Sequence, residues 1–162
     1  MLKEAIKEVE RIEGEGKKEV VKDVKKEKPE EKQKKSPNDK IGIIRIRGGI
    51  GINKNIKDTL DMLKLHKKHF CVIIENTPSN MGMIKKAKDY ITWGELNEDT
   101  IKELISKRSE PNPKDPKRTK KFFRLNSPKK GYERKGIKVP FSVGGALGYR
   151  KDKINDLIKR ML

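Results

Sequence analysis

Along residues 41–162 the apolar positions alternate between the two-residue period of strands and the three-to-four-residue period of helices. Ile41 to Arg47 predicts a strand with Ile44 and Ile46 pointing to one side and Arg45 and Arg47 to the other, so that one face meets the core. Gly48, Gly49 and Gly51 break it. Asn53 to Lys68 then carries Ile56, Leu60 and Leu63 on one helical stripe. The nearly continuous apolar run Phe70 to Glu75 predicts a second strand, and Asn76 to Asn80, with Pro78, a loop. A second helix follows with Met81, Ile84, Ala87 and Ile91 inward and Lys85, Lys86 and Lys88 outward. Tyr90 to Leu96 is rich in β-formers and predicts the third strand. Asn97 suits an N-cap, Glu98 and Asp99 complement the positive end of the helix dipole, and Ile101, Leu104 and Ile105 face inward on a helix closing at Lys107-Arg108. Near the end, Asp152 is placed to cap a short helix whose Ile154, Leu157, Ile158 and Met161 share a face.

The expected fold class is therefore α+β, a small three-stranded sheet in β-α-β-α-β order with further C-terminal helices and a basic, Gly-rich tail segment. Three regions follow: a charged and disordered extension over 1–38, the β-α-β-α-β-α core over 39–109, and a basic Gly/aromatic segment with the terminal helix over 110–162. In the first region Val20, Val21 and Val24 are too few to offset the backbone entropy of ordering a Lys/Glu-rich tract.

Charge sharpens this picture. The formal net charge is +18. Residues 1–40 hold 13 bases and 11 acids, so +16 of it falls on the rest of the chain. From Pro111 to Lys151 there are 13 Lys and Arg against two acids, Asp115 and Glu133, which points to a polyanionic partner. One cysteine, Cys71, cannot form an intramolecular disulfide and suits a reducing compartment. No apolar run approaches the roughly 20 residues that span a bilayer, and the N-terminus lacks a signal-peptide hydrophobic region. The expectation is a cytoplasmic protein without a membrane partner.

Sites for chemistry are sparse. Gly49-Ile50-Gly51 is followed by Lys54 where a dinucleotide fingerprint needs glycine, so a turn is the better reading. His66, His69 and Cys71 resemble a zinc set but lack a fourth ligand and straddle a helix end and a strand start. Neither a carboxylate pair nor a Ser/His/Asp set stands out. No enzyme activity, cofactor, metal or small-molecule substrate is expected.

The tail is different. Lys120, Lys121 and Arg124 lie beside Phe122 and Phe123, while Lys129, Lys130, Arg134, Lys135, Lys138 and Arg150 are interleaved with Tyr132, Phe141, Tyr149 and glycines at 131, 136, 144, 145 and 148. Arginine grips phosphate, lysine neutralises it, aromatics stack on bases, and glycine admits close backbone approach. With so little apolar periodicity the tail is expected to need a partner to order it. The RNA-binding set is then Arg45, Arg47, Lys85, Lys86, Lys120, Lys121, Arg124, Lys129, Lys130, Tyr132, Arg134, Lys135, Lys138, Gly144, Gly145, Tyr149 and Arg150. Composition alone admits a free-standing RNA- or DNA-binding chaperone or chromatin protein as well.

Particular segments narrow the choice. Ile44-Arg45-Ile46-Arg47-Gly48, Met62 to His66, Met83 to Lys86, Tyr90 to Glu95, Phe123-Arg124-Leu125, Pro128 to Tyr132, Gly144 to Arg150 and Ile154 to Leu157 together resemble the L-thirty family of large-subunit ribosomal proteins in its archaeal and eukaryotic form, whose eukaryotic members are called L-seven. The resemblance covers about residues 41–162. It implies a ferredoxin-like plan with the first strand central and helices on one side. It further implies a non-catalytic role on the ribosome, binding 23S rRNA near 5S rRNA beside neighbouring large-subunit proteins. Relatives of this type carry a helical insertion before the Phe-Arg-Leu segment that is missing here, and residues 1–40 extend beyond the usual archaeal start.

Overall fold

The computed structural model describes residues 40–113, 115 and 118–162; the extension expected over 1–38 lies outside them. Three long strands, β1 (Lys40–Arg45), β2 (Phe70–Glu75) and β3 (Ile91–Glu95), alternate with helices α1 (Lys54–Met62), α2 (Pro78–Lys86) and α3 (Glu98–Arg108) in the expected order. The tail adds two-residue strands β4 (Phe123–Arg124) and β5 (Gly148–Tyr149), and α4 (Ile154–Met161) closes the chain. The sheet order is β4-β2-β1-β3-β5. β1 is central, antiparallel to both neighbours, with Ile43 facing Val72 on one side and Trp93 on the other. β4 joins β2 antiparallel and β5 joins β3 in parallel, so each outer edge of the three-stranded sheet is partly covered by tail backbone.

Helices cover both faces, not one. Ile41 and Ile43 pack with Leu60, Leu63, Ile84 and Val72 beneath α1 and α2. Ile44 packs on the opposite face with Leu104, Ile154, Leu157 and Ile158 from α3 and α4. Consecutive Ile43 and Ile44 are both fully buried, which is the signature of a strand enclosed on two sides. On the α4 face, Gly42 and Gly94 stand opposite each other in the ladder. A side chain on Gly94 would run into the Lys151 carbonyl and sit 3.0 Å from Ile154 Cβ, so glycine here lets the terminal helix lie directly on the sheet.

Local chemistry explains the helix ends. α1 stops at Met62 rather than Lys68 because Lys64 takes a left-handed φ of 61°. Its N–H donates to the Asp61 carbonyl at 3.0 Å while that of Leu65 donates to Leu60 at 2.8 Å, the paired bonds of a Schellman ending. α2 begins at Pro78, inside the expected loop: the Thr77 hydroxyl accepts from the Asn80 N–H at 3.3 Å, and proline at the first helical position loses no bond it would have made. Asn97 precedes α3 without a side-chain cap; its own N–H donates to Asn155 Oδ1 at 3.1 Å. Asp152 likewise forms no side-chain cap, and its carbonyl accepts from Asn155 Nδ2 at 2.8 Å. Asn155 Nδ2 also donates to the Glu95 carbonyl at 3.0 Å, which ties β3 to α4.

Candidate nucleic-acid interface

Two expected contact residues are internal. Arg45 shares the α1/α2 face with Ile41 and Ile43 and is 4 % exposed, which corrects the expectation of an outward strand face. Its Nη1 donates to the carbonyls of Leu65 (2.6 Å) and His66 (2.9 Å), and its Nε to Arg47 (2.9 Å), closing the α1–β2 connection. Burial lowers its pKa, partly offset by Asp61. Arg150, 2 % exposed, sits beneath the tail. Nη1 pairs with Glu133 Oε1 at 2.7 Å, Nε donates to Thr92 Oγ1 at 3.0 Å, Nη2 donates to the Ala146 carbonyl at 3.1 Å, and the guanidinium lies 4.5 Å from the Phe141 ring centre. The hydrogen bond from Arg150 holds the Glu133 carboxyl below its usual range. This clasp, with Ile46, Ala146 and Leu147 packed beside Tyr132, orders a tail whose composition suggested it would need a partner.

Other expected residues also turn inward. Tyr132 pairs with His69 Nδ1 at 2.9 Å and lies parallel to its ring, and burial pushes its hydroxyl up to about 12. Gly144 takes φ +93° at the end of a short turn, and a side chain on Gly145 would collide with the Val139 backbone of this same chain. These two glycines serve the tail's own folding. Phe122 stacks on Phe70 with ring centres 4.8 Å apart, and Glu110 pairs with Lys120 (2.6 Å) and Arg124 (3.6 Å). The zinc-like trio is dispersed: Cys71 is buried with its thiol pushed up to about 12, His66 pairs with Asp61, and His69 with Tyr132.

Several basic side chains gather in a strip along the β5 edge. Arg47 lies 4.9 Å above the Tyr90 ring centre and donates to the Asp89 carbonyl at 3.2 Å. With Lys88 and Lys138 it lines a cleft of about 440 Å³, floored by Pro140, Leu147 and Gly148. Those three residues continue into a larger cleft of about 680 Å³ lined by Phe141, Tyr149, Lys151 and Lys153. On its far side Tyr149 borders a third cleft, of about 250 Å³, holding Lys85 and Trp93. Lys88, Lys151 and Lys153 were not in the expected set. Lys88 lay on the basic flank already seen on the second helix, and Lys151 directly follows Arg150, so their charge was visible and their convergence was not. Lys86, Lys121, Lys129, Lys130, Arg134 and Lys135 are exposed but line none of these three clefts.

The family described as Ribosomal protein L30p/L7e matches residues 41–91, from β1 to the start of β3. Curated relatives match a larger share of the chain. A protein of Methanopyrus kandleri called large ribosomal subunit protein uL30 is 40 % identical over 149 residues, covering 72 % of this chain and all of the relative. Proteins of the same description from Nanoarchaeum equitans and Methanosphaera stadtmanae are 43 % and 44 % identical, each over 74 % of this chain and at least 97 % of their own length. An aligned block of 149 positions that occupies 72 % of 162 residues, about 117, leaves about 30 positions of the first relative without a counterpart here. Similarity at this level across essentially whole relatives means that the chain belongs to the uL30 family of large ribosomal subunit proteins.

Proposed function

We propose that this chain is a non-catalytic structural component of the large ribosomal subunit that binds 23S rRNA, near 5S rRNA, through the basic strip along β5. The carrying observation is the convergence of Arg47, Lys85, Lys88, Lys138, Lys151 and Lys153 from four separated segments onto adjoining clefts. These six cations outnumber Asp89, Glu95 and Asp152 in the same clefts, and the net positive surface that remains suits a phosphate backbone. Their function is charge neutralisation on a preformed surface. Arg45, Arg150, Gly144 and Gly145 contribute by holding that surface rather than by touching RNA.

Binding of the full chain to 23S rRNA fragments, followed by anisotropy across a salt series, tests this. With about 6 to 8 phosphate contacts, log Kobs should fall against log salt with a slope of roughly −4 to −7. An affinity that stays flat would place the principal contact with a protein partner instead.

A further inference from the structure

We propose that the cleft between Phe141 and Tyr149 seats one unpaired nucleotide, with its base on the free side of the Tyr149 ring and its phosphate between Lys151 and Lys153. This rests on the RNA-binding proposal above and adds a base-dependent contact to a surface that would otherwise meet phosphate alone.

The first support is an aromatic that is exposed yet held. Tyr149 is 45 % exposed. One side of its ring packs towards Trp93, centres 6.3 Å apart, and its hydroxyl donates to Glu95 Oε1 at 2.8 Å. A ring tethered at its tip and along one side has already lost its rotamer freedom, so a base arriving on the other side meets a platform that need not be ordered on binding. Phe141, which also lines the cleft, is held by cations instead, with the Arg150 guanidinium 4.5 Å and the Lys153 ammonium 5.8 Å from its ring centre.

The second support is backbone strain at the cationic rim. Lys151 adopts φ +51°, a left-handed conformation in which glycine or asparagine is ordinary and lysine is not. The conformation is imposed by packing, since the Lys151 carbonyl occupies the space left by the missing side chain of Gly94. Glycine would satisfy that geometry without strain; what lysine adds is an ammonium group on the rim. Lys151 and Lys153 flank Asp152, so the rim keeps a net positive charge suited to one phosphate. The cleft's volume of about 680 Å³ is large enough for one nucleotide.

The test compares two probes of equal charge: a labelled oligouridylate of roughly 12 nucleotides and a ribose-phosphate oligomer of the same length lacking every base. The wild-type chain should bind the oligouridylate about fivefold or more tightly than the abasic oligomer, in line with stacking of a single base. Tyr149→Ala should abolish most of that ratio while leaving abasic affinity within about twofold of wild type, and Tyr149→Phe, which keeps the ring, should preserve the ratio. Equal wild-type affinity for both probes, or a ratio that survives Tyr149→Ala, overturns the nucleotide seat and leaves phosphate binding standing. Failure of both probes to bind at low salt overturns the seat and the RNA-binding proposal together.

Discussion

Replacing Glu133 with glutamine probes whether the tail is ordered by this chain itself. The substitution keeps size and shape and removes one charge opposite Arg150, which is 2 % exposed. Breaking a fully buried ion pair costs about 3 to 5 kcal/mol. The Glu133 side chain is 32 % exposed, so water reaches one end of this pair, and a hydrogen bond to a charged group, about 1.5 to 3 kcal/mol, is the better scale. Glutamine can still accept from Nη1, and Thr92 and Ala146 still bind the guanidinium, which places the expected loss near 2 kcal/mol. Urea denaturation should report that loss as a lower midpoint at unchanged slope. Hydrogen exchange should locate it, with faster exchange at the Ala146 and Leu147 amides, which donate to Gly136 and Val139. The pH dependence has a definite sign. Because the Glu133 carboxyl is depressed in the folded chain, its contribution is complete above the unfolded glutamate value of about 4.3 and fades as pH falls through the folded value. The gap between wild type and Glu133→Gln should therefore be full at neutral pH and shrink in acid. A variant within about 0.5 kcal/mol of wild type, with unaltered exchange at 146 and 147, would refute an internally clasped tail.

Arg45→Ala should lower stability by about 2 to 3 kcal/mol, because the Leu65 and His66 carbonyls lose their donor inside the fold, and a thermal or urea melt with no change would return Arg45 to the surface. Gly145→Val should destabilise the free protein, measured without RNA, since the obstruction is Val139 of the same chain; a loss seen only in the presence of RNA would contradict this. Cys71 should resist alkylation at pH 8 in the native state and react once unfolded, as a buried thiol pushed up to about 12 holds almost no thiolate; rapid native labelling would count against its burial.

Some of this was legible from residues and some was not, for physical reasons. The α4 stripe of Ile154, Leu157, Ile158 and Met161 is fully buried as its spacing implied, because a helix packed on one side leaves an unambiguous period. β1 misled because alternation was read as one buried face, whereas adjacent Ile43 and Ile44 already signalled two. Once both faces are covered, the arginine at position 45 must be inside with them. β4 and β5 were invisible because two residues carry no period, and their pairing is a long-range event recorded nowhere in local composition. The early stop of α1 at a left-handed lysine was hidden for a similar reason, since nothing in Lys64 favours that conformation. At the interface, charge was legible and position was not. Lys85, Lys138 and Tyr149 line the strip, while Arg150, Tyr132 and Gly145 turned inward to build it.

The most direct test of the central claim is to express the full chain beside a variant in which Lys85, Lys138 and Lys151 are all alanine, and to quantify each in large subunits purified on gradients at physiological salt. All three side chains are exposed, so both proteins should melt within about 1 kcal/mol of one another. Wild type should sediment with the large subunit, and the variant should be depleted from it several-fold. Equal occupancy of the two, or a wild-type chain that stays at the top of the gradient, would contradict the account.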